Sequence, residues 1–305
     1  MSDTNVPVPK PLPRPVLWTR GQGCHELAEL VSQVEPVRVV GDVVEACLRH
    51  RAPLLVSRRL SPSFDLIDNA APSGFDPEVV KAVVATVAGG PHSALAASVA
   101  KRLGDQLGVE AIVTCAFQEE GDKGRAVSAI ETLHVLEPDI EYRIVQADDA
   151  QALVAQIPEG ALIVLGAPGG GWLQRNYFGP GAKLLSEAPA GAVVVRHRPE
   201  RVFQAMIDPV FVGPLREAVD ILRIHDETVL AVVDRAQLIG IVRRAALSIA
   251  DPGVPVETIM EAPVSVPMTA SLDEAMVLAP GFSGAAIPVV DDDDRLVGAL
   301  PVPGD

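Results

Sequence analysis

Aromatic side chains are scarce: two tryptophans, two tyrosines and seven phenylalanines make up 4% of the 305 residues. Within a 48% hydrophobic fraction, the cores must therefore be built from Val, Leu, Ile and Ala. Cysteine is scarcer still. Cys24, Cys47 and Cys115 are odd in number, far apart, and lack any CxxC or Cys/His spacing. That excludes a disulfide framework and a zinc site, so no metal is expected, and it fits reduced thiols in a cytoplasmic protein. Basic residues are outnumbered, 25 to 40, which leaves a formal charge of -15. Such a field repels phosphate backbones and anionic lipid, so neither a nucleic-acid partner nor membrane insertion is expected. It still permits a single nucleotide in a local nest of backbone N–H groups. No apolar run approaches the ~18 residues of a membrane span. The opening MSDTNVPVPKPLPRP has no apolar h-region, so residues 1–15 read as a flexible arm with five prolines.

What is present is organised around Ala161–Arg196. An apolar run, Ala161–Leu165, ends in a loop with Gly166, Gly169, Gly170 and Gly171. Gly179 and Gly181 open an amphipathic segment, and a second apolar run, Ala192–Val195, closes it. Strand, Gly-rich loop, helix, strand is the order of a parallel α/β sheet. Upstream, Ala82–Ala88 reads as a buried strand, with a turn at Gly89-Gly90-Pro91. Leu95, Val99, Leu103 and Leu107 form a helical stripe. Ala111–Phe117 and Ile140–Val145 are strands, while Gly124–Leu136 and Asp149–Ile157 are helices. Residues 82–198 thus predict a doubly wound parallel sheet of five strands and four helices, with its ligand edge after Ala88 and Leu165. Residues 61–81 read as a linker. Residues 16–60 show a helix, strand order in GDVVEACLRHRAPLLVSRR that is similar to the end of the next domain. They are either a partial, degenerate half-repeat of it or an unrelated extension.

Residues 199–305 have another rhythm. A helical face of Leu215, Ala218, Val219 and Leu222 precedes strands at Thr228–Val233 and Leu238–Val242. The pattern recurs: a capping box of Ser271 and Glu274, then strands at Ile287–Val290 and Leu296–Leu300. Two copies, 203–250 and 256–305, form an internal repeat.

Two resemblances follow. The spacing G-x2-G-x9-G at Gly166, Gly169 and Gly179 resembles the adenine-nucleotide loop of universal stress protein (USP) domains, an adenine nucleotide alpha hydrolase-like fold. The landmarks ETIM, AVVD with LIGIV, and IPVVD with LVGAL resemble a pair of cystathionine-β-synthase-type (CBS) domains. The first resemblance implies a nucleotide site of Val87, Gly166, Gly169, Gly179, Gly181, Ala182 and Lys183, with Arg175 and Arg196 as local cations. The sequence departs from it where Val87 stands for the family's Asp and Pro180 for its Ser or Thr. The CBS resemblance implies a cleft at Gly240, Arg243, Arg244 and Gly298. The family's glycine, hydroxyl, Asp signature reads Gly240, Arg243, Ala246 in copy one and Gly298, Pro301, Gly304 in copy two, where PVPGD stands in place of a terminal helix.

Catalytic groupings are poor. His25, His50, His92, His134, His197 and His225 are scattered, and no triad order or carboxylate pair is visible. His92-Ser93 is either a ligand contact or a helix-start pair. Trp172 and Tyr177 either close over a base or meet a dimer partner. Asp291–Asp294 reads as a solvated hairpin turn. The expected function is binding without catalysis: a regulatory, stress-related sensor of ATP, ADP or AMP. It would be a homodimer, joined near Val193 and through the CBS helices, acting on an unknown protein partner. The alternative is a dimeric scaffold with degenerate sites.

Overall fold

The computed structural model describes residues 13–60, 64–167 and 188–304. They fall into two compact units, Pro13–Arg198 and a second that starts at Pro199.

The first unit is built on one nine-stranded sheet. Its N-terminal part supplies β1 (Leu17–Trp18), α1 (Cys24–Val31), β2 (Val37–Arg38), α2 (Val43–His50), β3 (Leu54–Val56) and β4 (Asp68–Ser73). Then come β5 (Ala82–Val87), α3 (Pro91–Leu107), β6 (Glu110–Phe117), α4 (Lys123–Leu136), β7 (Glu141–Gln146), α5 (Ala150–Val154), β8 (Ala161–Gly166) and β9 (Ala192–Arg196). The spatial order is β2-β1-β3-β4-β9-β8-β5-β6-β7. Neighbours are parallel throughout except β4 and β9, which are antiparallel.

The strands of residues 82–198 follow from their composition. Every residue of β5 is buried, as a central strand covered on both faces requires. Pro91 opens α3 and Gly108, at φ 67°, closes it, the expected asymmetry of a helix. Val99 and Leu103 of its stripe are buried in the core, with Leu95 and Leu107 packed against them. The five strands lie in the doubly wound order β7-β6-β5-β8-β9. The fourth expected helix falls at residues 168–187, outside the described residues.

The N-terminal part differs from expectation in three respects. Residues 61–81 are not merely a linker: Asp68–Ser73 is a strand inside the sheet, with Ala70 and Ala71 buried. Its polar residues are used, since Asn69 Nδ2 donates to Leu55 O at 3.0 Å and to Ser57 Oγ at 3.1 Å. Second, the N-terminal part holds more than one helix and strand: β1 and α1 stand in it where β5 and α3 stand among residues 82–198. Counting outward from the β4/β9 seam, β4, β3, β1 and β2 match β9, β8, β5 and β6. Third, the edge near Val193 is not open to a dimer partner, because Pro72 of β4 is paired opposite Val193.

The second unit contains α6 (Val202–Ala205), β10 (Phe211–Val212), α7 (Ala218–Ile224), β11 (Val229–Asp234), β12 (Gln237–Arg243) and α8 (Arg244–Ile249). The second copy supplies β13 (Val266–Pro267), α9 (Leu272–Met276), β14 (Ala286–Val290) and β15 (Leu296–Pro301). Each copy forms a three-stranded sheet, one parallel and one antiparallel pairing, with matching irregularities at Val232/Val233 and Val289/Val290. The copies exchange backbone. Ile241 and Glu261 bond each other reciprocally, as do Ile207 and Ala299. Ser271 and Glu274 form the expected capping box on α9. The Asp291–Asp294 stretch is the expected hairpin turn, with Asp291 Oδ1 accepting from the N–H groups of Asp293 and Arg295.

Candidate nucleotide clefts

In residues 82–198 the chain winds outward through β5, β6 and β7, then returns past β5 to β8. The carboxyl ends of β5 and β8 therefore flank the switch-point crevice in which open α/β sheets take ligands. Val87 ends β5 buried, 2% exposed, and presents only an aliphatic side chain to the core. The turn after it runs through Gly89 and Gly90 at φ 93° and 82°. Ser93 closes that turn: its hydroxyl donates to Gly89 O at 2.9 Å and accepts from Ala88 N at 3.2 Å. Gly166 has its glycine for packing. A Cβ there would lie 3.0 Å from the carbonyl carbon, oxygen and Cβ of His92, in the first turn of α3. Gly169, Gly179, Gly181, Ala182 and Lys183, with Trp172, Tyr177, Arg175 and Pro180, lie outside the described residues.

A cluster beside Gly166 joins His92 and Arg196, both singled out in the sequence, to His197, Arg198 and Asp68, whose part in it sequence reasoning missed. His197 N donates to His92 Nδ1 at 3.1 Å, and His197 Nδ1 lies 3.1 Å from Asp68 Oδ1. The same carboxylate accepts from Arg198 N at 2.7 Å. Burial holds His92 below its ordinary value, helped by His197, Arg196 and Arg198, so its ring is kept neutral. Arg196 is lowered too, by burial and then by Arg198. Asp68 thus meets the His197 ring and the Arg198 backbone, while Arg196 and Arg198 act electrostatically on His92. Among the described residues no hydrogen bond joins either imidazole to a serine, threonine or cysteine side chain. The signal for it was the run Arg196-His197-Arg198 at the end of an apolar strand, but its partner, Asp68, stood in the supposed linker.

In the second unit Gly240 and Gly298 stand at matching places on β12 and β15, and Arg243 and Arg244 stand at the junction of β12 and α8. A Cβ on Gly240 would meet Met260 Sδ at 2.7 Å and Glu261 O at 2.8 Å; one on Gly298 would meet Met206 Sδ at 2.5 Å. Both glycines let the exchanged segments approach. Arg243 spans the copies: its Nε donates to Glu261 Oε1 and Oε2 at 3.0 and 3.3 Å. Its other end donates to Gly281 O at 3.1 Å, over the Phe282 ring. Arg244 donates to His225 O and lies 3.8 Å from Asp226. Ala246 and Gly304 offer no carboxylate where the family signature has one. Among the described residues no group of His, Cys, Asp or Glu could hold a metal ion, and no helix is long and apolar enough to cross a membrane.

Comparison with curated proteins gives no match. Among solved structures, the cytosolic domain of the Mg2+ channel MgtE in complex with ATP is 28% identical, with a TM-score of 0.31. The overlap covers 33% of this chain and 46% of that one, so this chain spans under half of its length. A CBS domain pair/ACT domain protein from Thermotoga maritima is 23% identical over 33% of this chain and 89% of its own, at 0.31. The CBS-pair protein CBSX2 from Arabidopsis thaliana is 24% identical over 33% and 87%, also at 0.31. The family model of the CBS domain matches residues 256–302, so the second unit carries a CBS domain within its paired repeat.

Proposed function

We propose that this chain is a regulatory protein that binds an adenine nucleotide, ATP, ADP or AMP, without catalysing a reaction of its own, and that the CBS pair receives it. Arg243 is the observation that carries this reading. It leaves copy one at the end of β12 and grips copy two at Glu261 and Gly281. A phosphate arriving at the junction of β12 and α8 would compete with Glu261 for the guanidinium, whose fork matches phosphate oxygens. Release of Glu261 and Gly281 would loosen the tie between copies. Occupancy would then favour one arrangement of the pair, the differential affinity a switch needs. With Ala246 and Gly304 at the ribose positions, phosphate dominates recognition and ATP should bind more tightly than AMP.

Calorimetry with ATP, ADP, AMP and adenosine tests this. The expected series weakens with each phosphate removed, adenosine gives no heat, and Arg243→Ala loses about tenfold in ATP affinity. No heat and no thermal shift with any of them would leave the second reading, a scaffold with degenerate sites. The buried Val87, which offers an adenosine no carboxylate, favours that reading. The doubly wound strand order of residues 82–198 supports kinship with universal stress proteins and hence a stress-related role. The dimer, if formed, would use α7 and α8, where Ile224 and Ile249 are 69% and 89% exposed. Sedimentation at micromolar concentration reads its presence directly.

A further inference from the structure

We infer that the N-terminal half of the sheet carries a separate anion site, which takes the phosphate groups of a small molecule at the carboxyl ends of β1 and β3. The chain steps from β1 outward to β2, then back past β1 to β3, so β1 and β3 flank a second topological switch point. Two loops leave its carboxyl edge, Thr19–Gly23 and Ser57–Arg59. They touch: Thr19 N donates to Val56 O at 2.9 Å, and a Cβ on Gly21 would lie 3.2 Å from Arg58 Cβ. The second loop is fixed from below. Ser57 Oγ donates to Arg59 O at 2.9 Å and accepts at 3.1 Å from Asn69, itself 3% exposed.

From these two loops emerge Arg20, Arg58 and Arg59, all exposed. Arginines elsewhere in the chain, such as Arg49, Arg143, Arg243 and Arg295, each sit against a carboxylate. None of the three guanidinium groups here has a hydrogen bond or ion pair among the described residues. Two touching loops thus carry three guanidinium groups, and an anion held by groups from both loops would offset the repulsion of bringing them together. Guanidinium forks pair bidentately with phosphate oxygens. The chain's net charge of -15 disfavours a nucleic acid as the anion, which points to a small molecule.

The test is calorimetry on the full chain with inorganic pyrophosphate and tripolyphosphate, and with sulfate as control, at about 0.15 M salt. The wild type should bind tripolyphosphate more tightly than pyrophosphate, and sulfate not at all. Arg20→Ala should lose about tenfold and Arg58→Ala/Arg59→Ala about a hundredfold, whereas Arg49→Ala, at an exposed arginine paired with Glu45, should leave binding unchanged. Tripolyphosphate should also shield Arg20, Arg58 and Arg59 of the unaltered chain from phenylglyoxal, read by mass spectrometry. Equal affinity for sulfate, unchanged binding in the double variant, no shielding, or binding of an acidic peptide but neither phosphate probe would each overturn the proposal.

Discussion

Replacing Gly191 by alanine should split the sheet at its seam. Gly191 lies at φ 86°, where a side chain costs about 1–2 kcal/mol. Its Cβ would also fall within van der Waals overlap of backbone: 2.5 Å from Gly74 C and 2.8 Å from Phe75 N. Those backbone atoms directly follow β4 and cannot swing away as a side-chain tip does. Overpacking of this kind adds about 1–3 kcal/mol, for a total of about 2–5 kcal/mol. For a unit of this size that is a fall of roughly 5–20 °C in melting temperature. Gly89→Ala is the control. It shares the positive φ, at 93°, but its Cβ meets only Ala129 Cβ at an ordinary 3.6 Å. Because the chain has two units, one calorimetric peak would blur the effect. Tryptophan fluorescence avoids this, since Trp18 and Trp172 both fall between Pro13 and Arg198. Equal losses in the two variants, within about 0.5 kcal/mol, would refute the clash at the seam.

The thiols should be inert in the folded chain. Burial pushes Cys47 up to about 12 and Cys115 to about 11, and raises Cys24 as well, so a disulfide reagent at pH 8 should label none quickly and all three on denaturation. His92 protonates below its ordinary 6.5, so the unfolded chain binds more protons as pH falls. Its contribution is complete above about pH 6.5 and is lost below it, and melts from pH 7.5 to 5 should flatten in His92→Gln relative to wild type. An imidazole titration of His92 above 6.5 would contradict this. Glu261→Gln removes the competitor for Arg243 and should tighten ATP binding severalfold, at a stability cost under about 1 kcal/mol because the pair is half exposed. Weaker ATP binding in this variant would place the phosphate elsewhere.

The parts of the fold legible in the sequence were those whose local pattern and tertiary fate agree. The stripe of α3 and the apolar run of β5 belong to a core that any packing would bury. β4 was not legible, because Asp-Asn-Ala-Ala-Pro-Ser has little strand propensity. It is a strand because β3 and β9 offer ladders on either side. Pro72 is tolerated because it lies beyond the last residue paired to β3. β1 and β2 are two-residue strands, too short to show a period. In the candidate clefts, the glycines were legible as points of close approach but not as to what approaches. Gly166 meets helix backbone, Gly240 and Gly298 meet methionine, and a phosphate would demand the same absence of a side chain. Arg243 was legible as a cation at the right place. Its partner, Glu261, stands 18 residues on and declares itself only once the two repeats exchange backbone.

The antiparallel seam between β4 and β9 has a consequence for dilution. Where two separate chains zip sheets together, the joint dissolves once their concentration falls far enough. Here both margins are tethered on one polypeptide, so each meets the other at an effective concentration set by the intervening loops. The nine-stranded sheet should therefore persist unchanged from millimolar to nanomolar protein, whatever the CBS helices do.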